Sequence, residues 1–184
     1  MFKRLAARLC RPWMGLTLAG IVVGGVLIAA LDYTFAYTNR TEFCISCHEM
    51  EEHVYKEYKI SYHYKNRTGS RAECADCHVP KEFFPKLKAK IIAVKDVYHH
   101  FMGTIDTTEK FEEHRLEMAK RVWAQMDANE SKACRNCHAF EAMEMFEQGR
   151  RARSKHPEAI KEGQHCIDCH KGIVHNLPRD WAGD

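Results

Sequence analysis

At 184 residues the chain is long enough for one ordinary domain and a short attached segment, not for several domains. Its formal net charge of +3 is unevenly spread: residues 1–31 hold Lys3, Arg4, Arg8 and Arg11 with no acid, and the remainder is slightly acidic. Cationic charge confined to one end, beside an apolar run, argues for a membrane anchor and against nucleic-acid binding.

Residues 1–13 read as a basic tail. From Met14 to Leu31 every residue is apolar or small, and Tyr33, Phe35 and Tyr37 add an aromatic flank, so 14–36 is expected to span a bilayer. The basic flank puts the N-terminus in the cytoplasm and residues 37–184 in the periplasm of a bacterial inner membrane. A cleaved signal peptide is the rival, but its core is usually shorter and ends in a small-residue cleavage site, and none stands before Asp32. Gly20 and Gly24 form a GxxxG step, which gives a homodimer through this helix as an expectation. Cys10 lies on the basic side, where a reduced thiol is ordinary.

The remaining eight of nine cysteines fall in one repeated pattern. It reads Cys44-Ile45-Ser46-Cys47-His48, Cys74-Ala75-Asp76-Cys77-His78, Cys134-Arg135-Asn136-Cys137-His138 and Cys166-Ile167-Asp168-Cys169-His170. Two thiols close thioether bonds on a haem and the adjacent imidazole reaches its iron. Zinc sites and disulfide frameworks need no histidine after every pair. The pattern therefore implies four covalently bound haem c groups, numbered here by motif order, whose macrocycles supply much of the core.

The motifs are spaced as a repeat. Cys44 to Cys74 is 30 residues and Cys134 to Cys166 is 32, with His63 and His156 in matching places 11 and 10 residues before the second motif of each pair. Dihaem units are set at 43–80 and 133–175. The connector, 81–132, is expected to hold two helices. Pro85 opens the first, along which Leu87, Ile91, Val94 and Tyr98 recur at helical spacing among Lys81, Lys86, Lys88, Lys90 and Lys95. Such a basic amphipathic helix suits either anionic headgroups or solvent. Asp106 and Glu109 suggest a capping box for the second helix, with Phe111, Met118, Val122 and Met126 on its buried side. No segment reads as a strand. The class is all-α, one transmembrane helix plus a small multihaem domain.

Four irons offer eight axial positions, and His48, His78, His138 and His170 fill at most four. Among the other histidines, His63 and His156 share a repeat position and His175 follows His170 by five residues, so these three are the expected distal ligands; His114 and His165 read as surface residues. Symmetry with His175 would place a ligand five beyond His78, where Phe83 stands, so the first haem lacks that partner.

The basic tail, single anchor, paired motifs, KDVYHH after the second motif and CIDCHKGIVH near the end resemble the NapC/NirT family of membrane-anchored tetrahaem quinol dehydrogenases. IDTTEKFEEHR resembles its NapC branch. The resemblance implies oxidation of membrane quinol, menaquinol or ubiquinol, and delivery of electrons to a periplasmic reductase, typically nitrate reductase through its small cytochrome subunit. A nitrite or N-/S-oxide reductase as acceptor, or a passive haem wire, are the alternatives. It also implies His63 on haem 4, His175 on haem 3, and Lys90 (or Lys88) on haem 2, where repeat symmetry favours His156 instead. Met50 rather than His48 is implied for haem 1. Asp96 matches the family's acidic residue and is expected to accept a proton from quinol, with His100 one helical turn further on the same face. N-terminal sequencing of the membrane-bound protein should return the uncleaved start. A mature N-terminus near Asp32 in a soluble fraction would overturn the anchor.

Overall fold

The computed structural model describes residues 2–183, with side chains from Trp13 onward, so Cys10 and the basic side chains of the tail lie outside the described residues. The chain divides after Arg40 into two units. No strand occurs among the described residues.

The first unit is one helix, α1 (Phe2–Thr38), that runs through both the expected tail and the expected span. Within it Trp13–Thr38 is long and apolar enough to cross a membrane, with mean hydropathy 2.3. Leu16, Ile21, Leu27 and Ile28 are exposed in water terms, as lipid-facing side chains are. Its few hydroxyls are satisfied internally: Thr17, Thr34 and Thr38 each donate to the carbonyl four residues earlier at 2.8 Å. In hydrocarbon that removes the cost of an unpaired donor.

The second unit is a set of short helical turns braced by three long helices. In order they are α2 (Thr41–Cys44), a π-helical turn (Met50–Tyr55) continuing into α3 (Lys56–Ile60), α4 (Cys74–His78), α5 (Phe83–Phe101), α6 (Thr108–Ala128), α7 (Lys132–Arg135), two 3-10 turns, α8 (Arg150–Glu162) and α9 (Cys166–Cys169). Among its described residues only Tyr58, Phe111 and Ile167 are buried apolar side chains. So few cannot hold a unit of this size, which is what a fold built around prosthetic groups requires.

Each Cys-x-x-Cys sits on a helical turn with its own local device. The second and fourth motifs both read Cys-x-Asp-Cys. Asp76 accepts from the Glu73 amide at 2.9 Å, and Asp168 from the His165 amide at 2.7 Å, so each closes a capping box at its turn. The first and third motifs are preceded at three residues by a buried hydroxyl. Thr41 Oγ1 donates to Glu73, and Ser131 Oγ accepts from the Ile167 amide at 3.1 Å. Each bond ties the first motif of a pair to the second. Glu130 and Ser131 have left-handed backbones, φ 56° and 52°, a strain of roughly 1 kcal/mol or more each. The Ser131 bond and its amide's 2.7 Å contact with the Met126 carbonyl hold them there.

The connector helices differ from expectation in detail. α5 begins at Phe83, leaving Pro85 in its first turn, where a missing amide hydrogen costs nothing. Ile91, Val94 and Tyr98 are exposed, and the half-buried face carries Lys86, Ala89, Lys90, Ala93 and His100. α6 is capped by Thr107 rather than Asp106: Thr107 Oγ1 accepts from the Lys110 amide at 3.3 Å, while Asp106 pairs with the Lys110 ammonium at 2.7 Å. Phe111 is buried, and Met118, Val122 and Met126 are half-buried beneath it.

Arg115, one turn after Phe111, is also buried. Its Nη2 donates to both Glu57 oxygens at 2.6 Å and to the Asn176 carbonyl at 3.0 Å. The Asn176 amide and side chain donate in turn to Glu57 at 3.0 and 2.9 Å. The network pins α3, α6 and the C-terminal loop together. Replacing Arg115 by alanine leaves the half-buried Glu57 carboxylate with only its Asn176 donors, at a cost of about 3 kcal/mol. Thermal unfolding of the detergent-solubilised protein should fall by on the order of 10 °C. An unchanged midpoint would show that the network adds nothing to stability.

Candidate haem ligands and the site beside the first motif

No disulfide joins the eight motif cysteines. Their neighbours give the motifs an order. Cys44 lies beside Cys74, Cys77 near Cys134 and Cys137, and Cys134 beside Cys166. The first motif thus lies against the second, the second against the third and the third against the fourth.

Imidazoles of all four motifs each stand near a second imidazole, His48 near His100 with ring centroids 5.9 Å apart. Ring centroids are 6.2 Å apart for His78 and His175, 6.2 Å for His63 and His138, and 6.0 Å for His156 and His170. Two imidazoles on one metal, with metal–nitrogen bonds of about 2.0–2.1 Å, place their centroids roughly 6 Å apart. The rings are also electronically prepared. Burial lowers the pKa of His63, His170 and His175, and that of His78 to about 4, so each is neutral and able to donate a lone pair at pH 7. Nδ1 of His63 and of His175 is buried with no hydrogen-bond partner, a cost that metal ligation by the ring offsets. His156 Nδ1 lies 2.6 Å from Gln148 Oε1, the outer contact that commonly fixes a ligating histidine. The residues fit haem iron.

The other histidines have different partners. His53 stacks on Phe111 at 4.2 Å, His99 meets Thr104 Oγ1 at 3.0 Å, and His114 meets its own helix at the Lys110 carbonyl, 2.9 Å. His165 is bound to Asp127 at 2.6 Å as well as closing its capping box, so it is a structural tether rather than a loose surface residue.

The pairing departs from the expected one. His63 faces the third motif, not the fourth; His175 faces the second, not the third; and His156 faces the fourth, not the second. The matching residues of the repeat, His63 and His156, stand on unlike backbone. His156 rides on α8, which ends at Gly163 in the left-handed conformation, φ 69°, and returns the chain directly to His170. His63 stands in a turn after α3, with its carbonyl held by the Ala72 amide at 3.1 Å, and reaches across to the other unit. Gly172, φ 78° with Leu177 packed where a Cβ would stand, carries His175 across in the opposite direction. Lys90 is half-buried on α5 near Cys44 of the first motif, and burial lowers its pKa.

The first motif is built differently. His48 is exposed, and its Nε2, the usual ligating atom, lies 3.1 Å from the Asp106 carbonyl. Met50 is at the surface. Between them Glu49 is buried, 2.8 Å from His100 Nδ1 and 3.5 Å from His48 Nδ1. Burial pushes the Glu49 pKa up, but backbone contacts and His100 and His48 outweigh it and leave it lowered. Asp96 is exposed on α5, one turn before His100. A cleft lined by His48, Glu52, His53, Lys56, Asp106 and the start of α6 opens beside the motif. Glu49 escaped the sequence analysis although it stands inside the His-Glu-Met triplet itself.

Four Cys-x-x-Cys-His turns in contact, with imidazoles paired between them and an apolar helix ahead, define a membrane-anchored multihaem c-type cytochrome. The NapC/NirT cytochrome c family, N-terminal region, matches residues 8–180, and the chain belongs to that family. It is 49% identical over 176 residues to a putative tetraheme cytochrome-c type protein of Allochromatium vinosum, covering 95% of each chain. It is 52% identical over 163 residues to the cytochrome c-type protein NapC of Escherichia coli K12, covering 89% of this chain and 82% of that one. Among solved structures it is similar to a chain of the cytochrome c nitrite reductase NrfHA complex bound to the inhibitor HQNO. That match has 26% identity and a TM-score of 0.50, and covers 88% and 90% of the two chains. The protein is accordingly an electron-transport cytochrome with covalently bound haem c and a single inner-membrane helix.

Replacing His63, His156 or His175 by alanine should each turn one low-spin haem high-spin with haem content retained, while His114→Ala changes no spectrum. The pairing has its own check. His63→Ala added to His138→Ala should give no second high-spin haem, because both rings face one iron. Two high-spin haems would return His63 to the fourth motif.

Proposed function

We propose that this cytochrome oxidises membrane quinol beside its first motif and passes the electrons to a periplasmic reductase, nitrate reductase in the first instance. The observation that carries the proposal is the difference between the first motif and the other three. Its histidine stands 5.9 Å from His100 but turns Nε2 to the Asp106 carbonyl, and His100 is itself bonded to the buried Glu49, so acid as well as imidazole surrounds it. Family membership and the NapC relative support the same reading. The axial pairs are His78 with His175, His138 with His63, and His170 with His156, and Met50 serves the first iron. When bound, the four haems supply a row of one-electron carriers in motif order. The N-terminus faces the cytoplasm and the haem unit the periplasm.

Quinol oxidation releases two protons with its two electrons, so the protein must take protons where it takes electrons. Asp96 accepts one at its carboxylate and faces water, to which it can pass it on. His100, one turn along the same face and held by Glu49, is the second acceptor or relay. A passive haem wire would need neither group, and an acceptor handling nitrite or an N- or S-oxide would change the partner but not this end of the chain.

Asp96→Asn should slow quinol turnover in proteoliposomes by about 10² or more, as loss of a general base does, with all four haem spectra intact. Met50→Ala should alter the first haem alone. Normal turnover by Asp96→Asn would make Asp96 a surface acid and move the proton acceptor to His100. Absence of any quinol turnover by the native protein would leave the wire.

A further inference from the structure

We propose that the outward face of α5 is a second membrane contact, lying along the headgroup region of an anionic bilayer. The proposal rests on the membrane-anchored reading of the chain and not on quinol chemistry.

Phe84, Ile91, Val94, Tyr98 and Phe101 are all largely exposed, Phe84 at 77% and Phe101 at 83%. At 3.6 residues per turn they fall within an arc of about 100° along a helix roughly 28 Å long. This is not the face that packs on the domain, which runs through Lys86, Lys90, Ala93 and His100. A continuous exposed apolar stripe of this length is costly in water and marks an interaction surface.

Two features select lipid as the occupant. Lys88 and Lys95, seven residues apart, border the stripe and are exposed, with Lys81 just ahead of the helix. No ion pair engages them among the described residues. The nearest acids, Glu82 and Asp96, fall outside the arc on its far side. An apolar stripe edged by lysine suits acyl chains below and anionic headgroups beside. The same chain also carries α1, so a bilayer is held near this unit at high effective concentration, whereas a protein partner must arrive by diffusion.

The test uses full-length holoprotein in nanodiscs containing phosphatidylglycerol. In a Cys10→Ser background the remaining cysteines carry haem, so Ile91→Cys, Phe84→Cys and, as a control on α8, Ser154→Cys are single reactive thiols. A water-soluble maleimide should modify Ile91→Cys and Phe84→Cys at least 10-fold more slowly than Ser154→Cys. Adding Lys88→Glu and Lys95→Glu, or replacing phosphatidylglycerol by phosphatidylcholine, should narrow that gap. Equal rates at all three positions would overturn the proposal. So would protection that arises only when the periplasmic reductase is added, since the stripe would then be a protein-docking face. Quinol turnover is not the readout, so the two proposals fail separately.

Discussion

The arrangement of the second unit turns on a crossing of histidines between its two pairs of motifs. His63, which follows the first motif, faces His138 of the third, and His175, which follows the fourth, faces His78 of the second. Each pair of motifs thus presents an imidazole to the other. Tyr58, Phe111 and Ile167 are the buried apolar side chains among the described residues of the unit, so the crossing spans a boundary where hydrophobic burial is scarce. The Glu57–Arg115–Asn176 network is placed accordingly, directly beside His175, where a free loop would otherwise have to present one ring at a fixed separation from another. Holding His175 costs conformational entropy, and several charge-assisted hydrogen bonds to the adjacent residue offset it.

The crossing also bears on the odd first site. Two crossing histidines and the local His156 face three motif imidazoles, and no histidine follows the second motif as His175 follows the fourth. Where symmetry would put one, Phe83 starts α5 instead. That helix brings His100 to Glu49 and leaves His48 turned to the Asp106 carbonyl. The first motif differs in carrying a buried carboxylate, Glu49, next to its own histidine, beside an open cleft.

Chemistry was more legible in the sequence than spatial pairing. The four motifs, the apolar span and the helical connector rest on spacing and composition, which survive any tertiary arrangement. His63 and His156 stand out by their shared place in the repeat and His175 by its place after the last motif, but the rings they face are not legible from spacing. That choice depends on backbone reversals at Gly163 and Gly172 and on a turn at residues 61–65, which act over long range. The Cys-x-Asp-Cys capping boxes stood in plain view in the second and fourth motifs. They were hidden by attention to the cysteines around them. Arg115 occupies a core position of α6 that apolar periodicity passes over, because its burial is explained only by Glu57, 58 residues away in sequence.

Burial has opposite consequences at the two kinds of site. At His78 desolvation by the protein around it, with His175 nearby, lowers the pKa to about 4, so the ring stays neutral throughout the physiological range. A neutral ring is what a metal ligand must be. At Glu49 desolvation would favour the protonated acid, yet backbone contacts, then His100 and His48, outweigh it and leave the pKa lowered. The same physical cause thus leaves a neutral base at the second motif and an anion beside the first, and what decides between them is the set of donors that the fold places around each group.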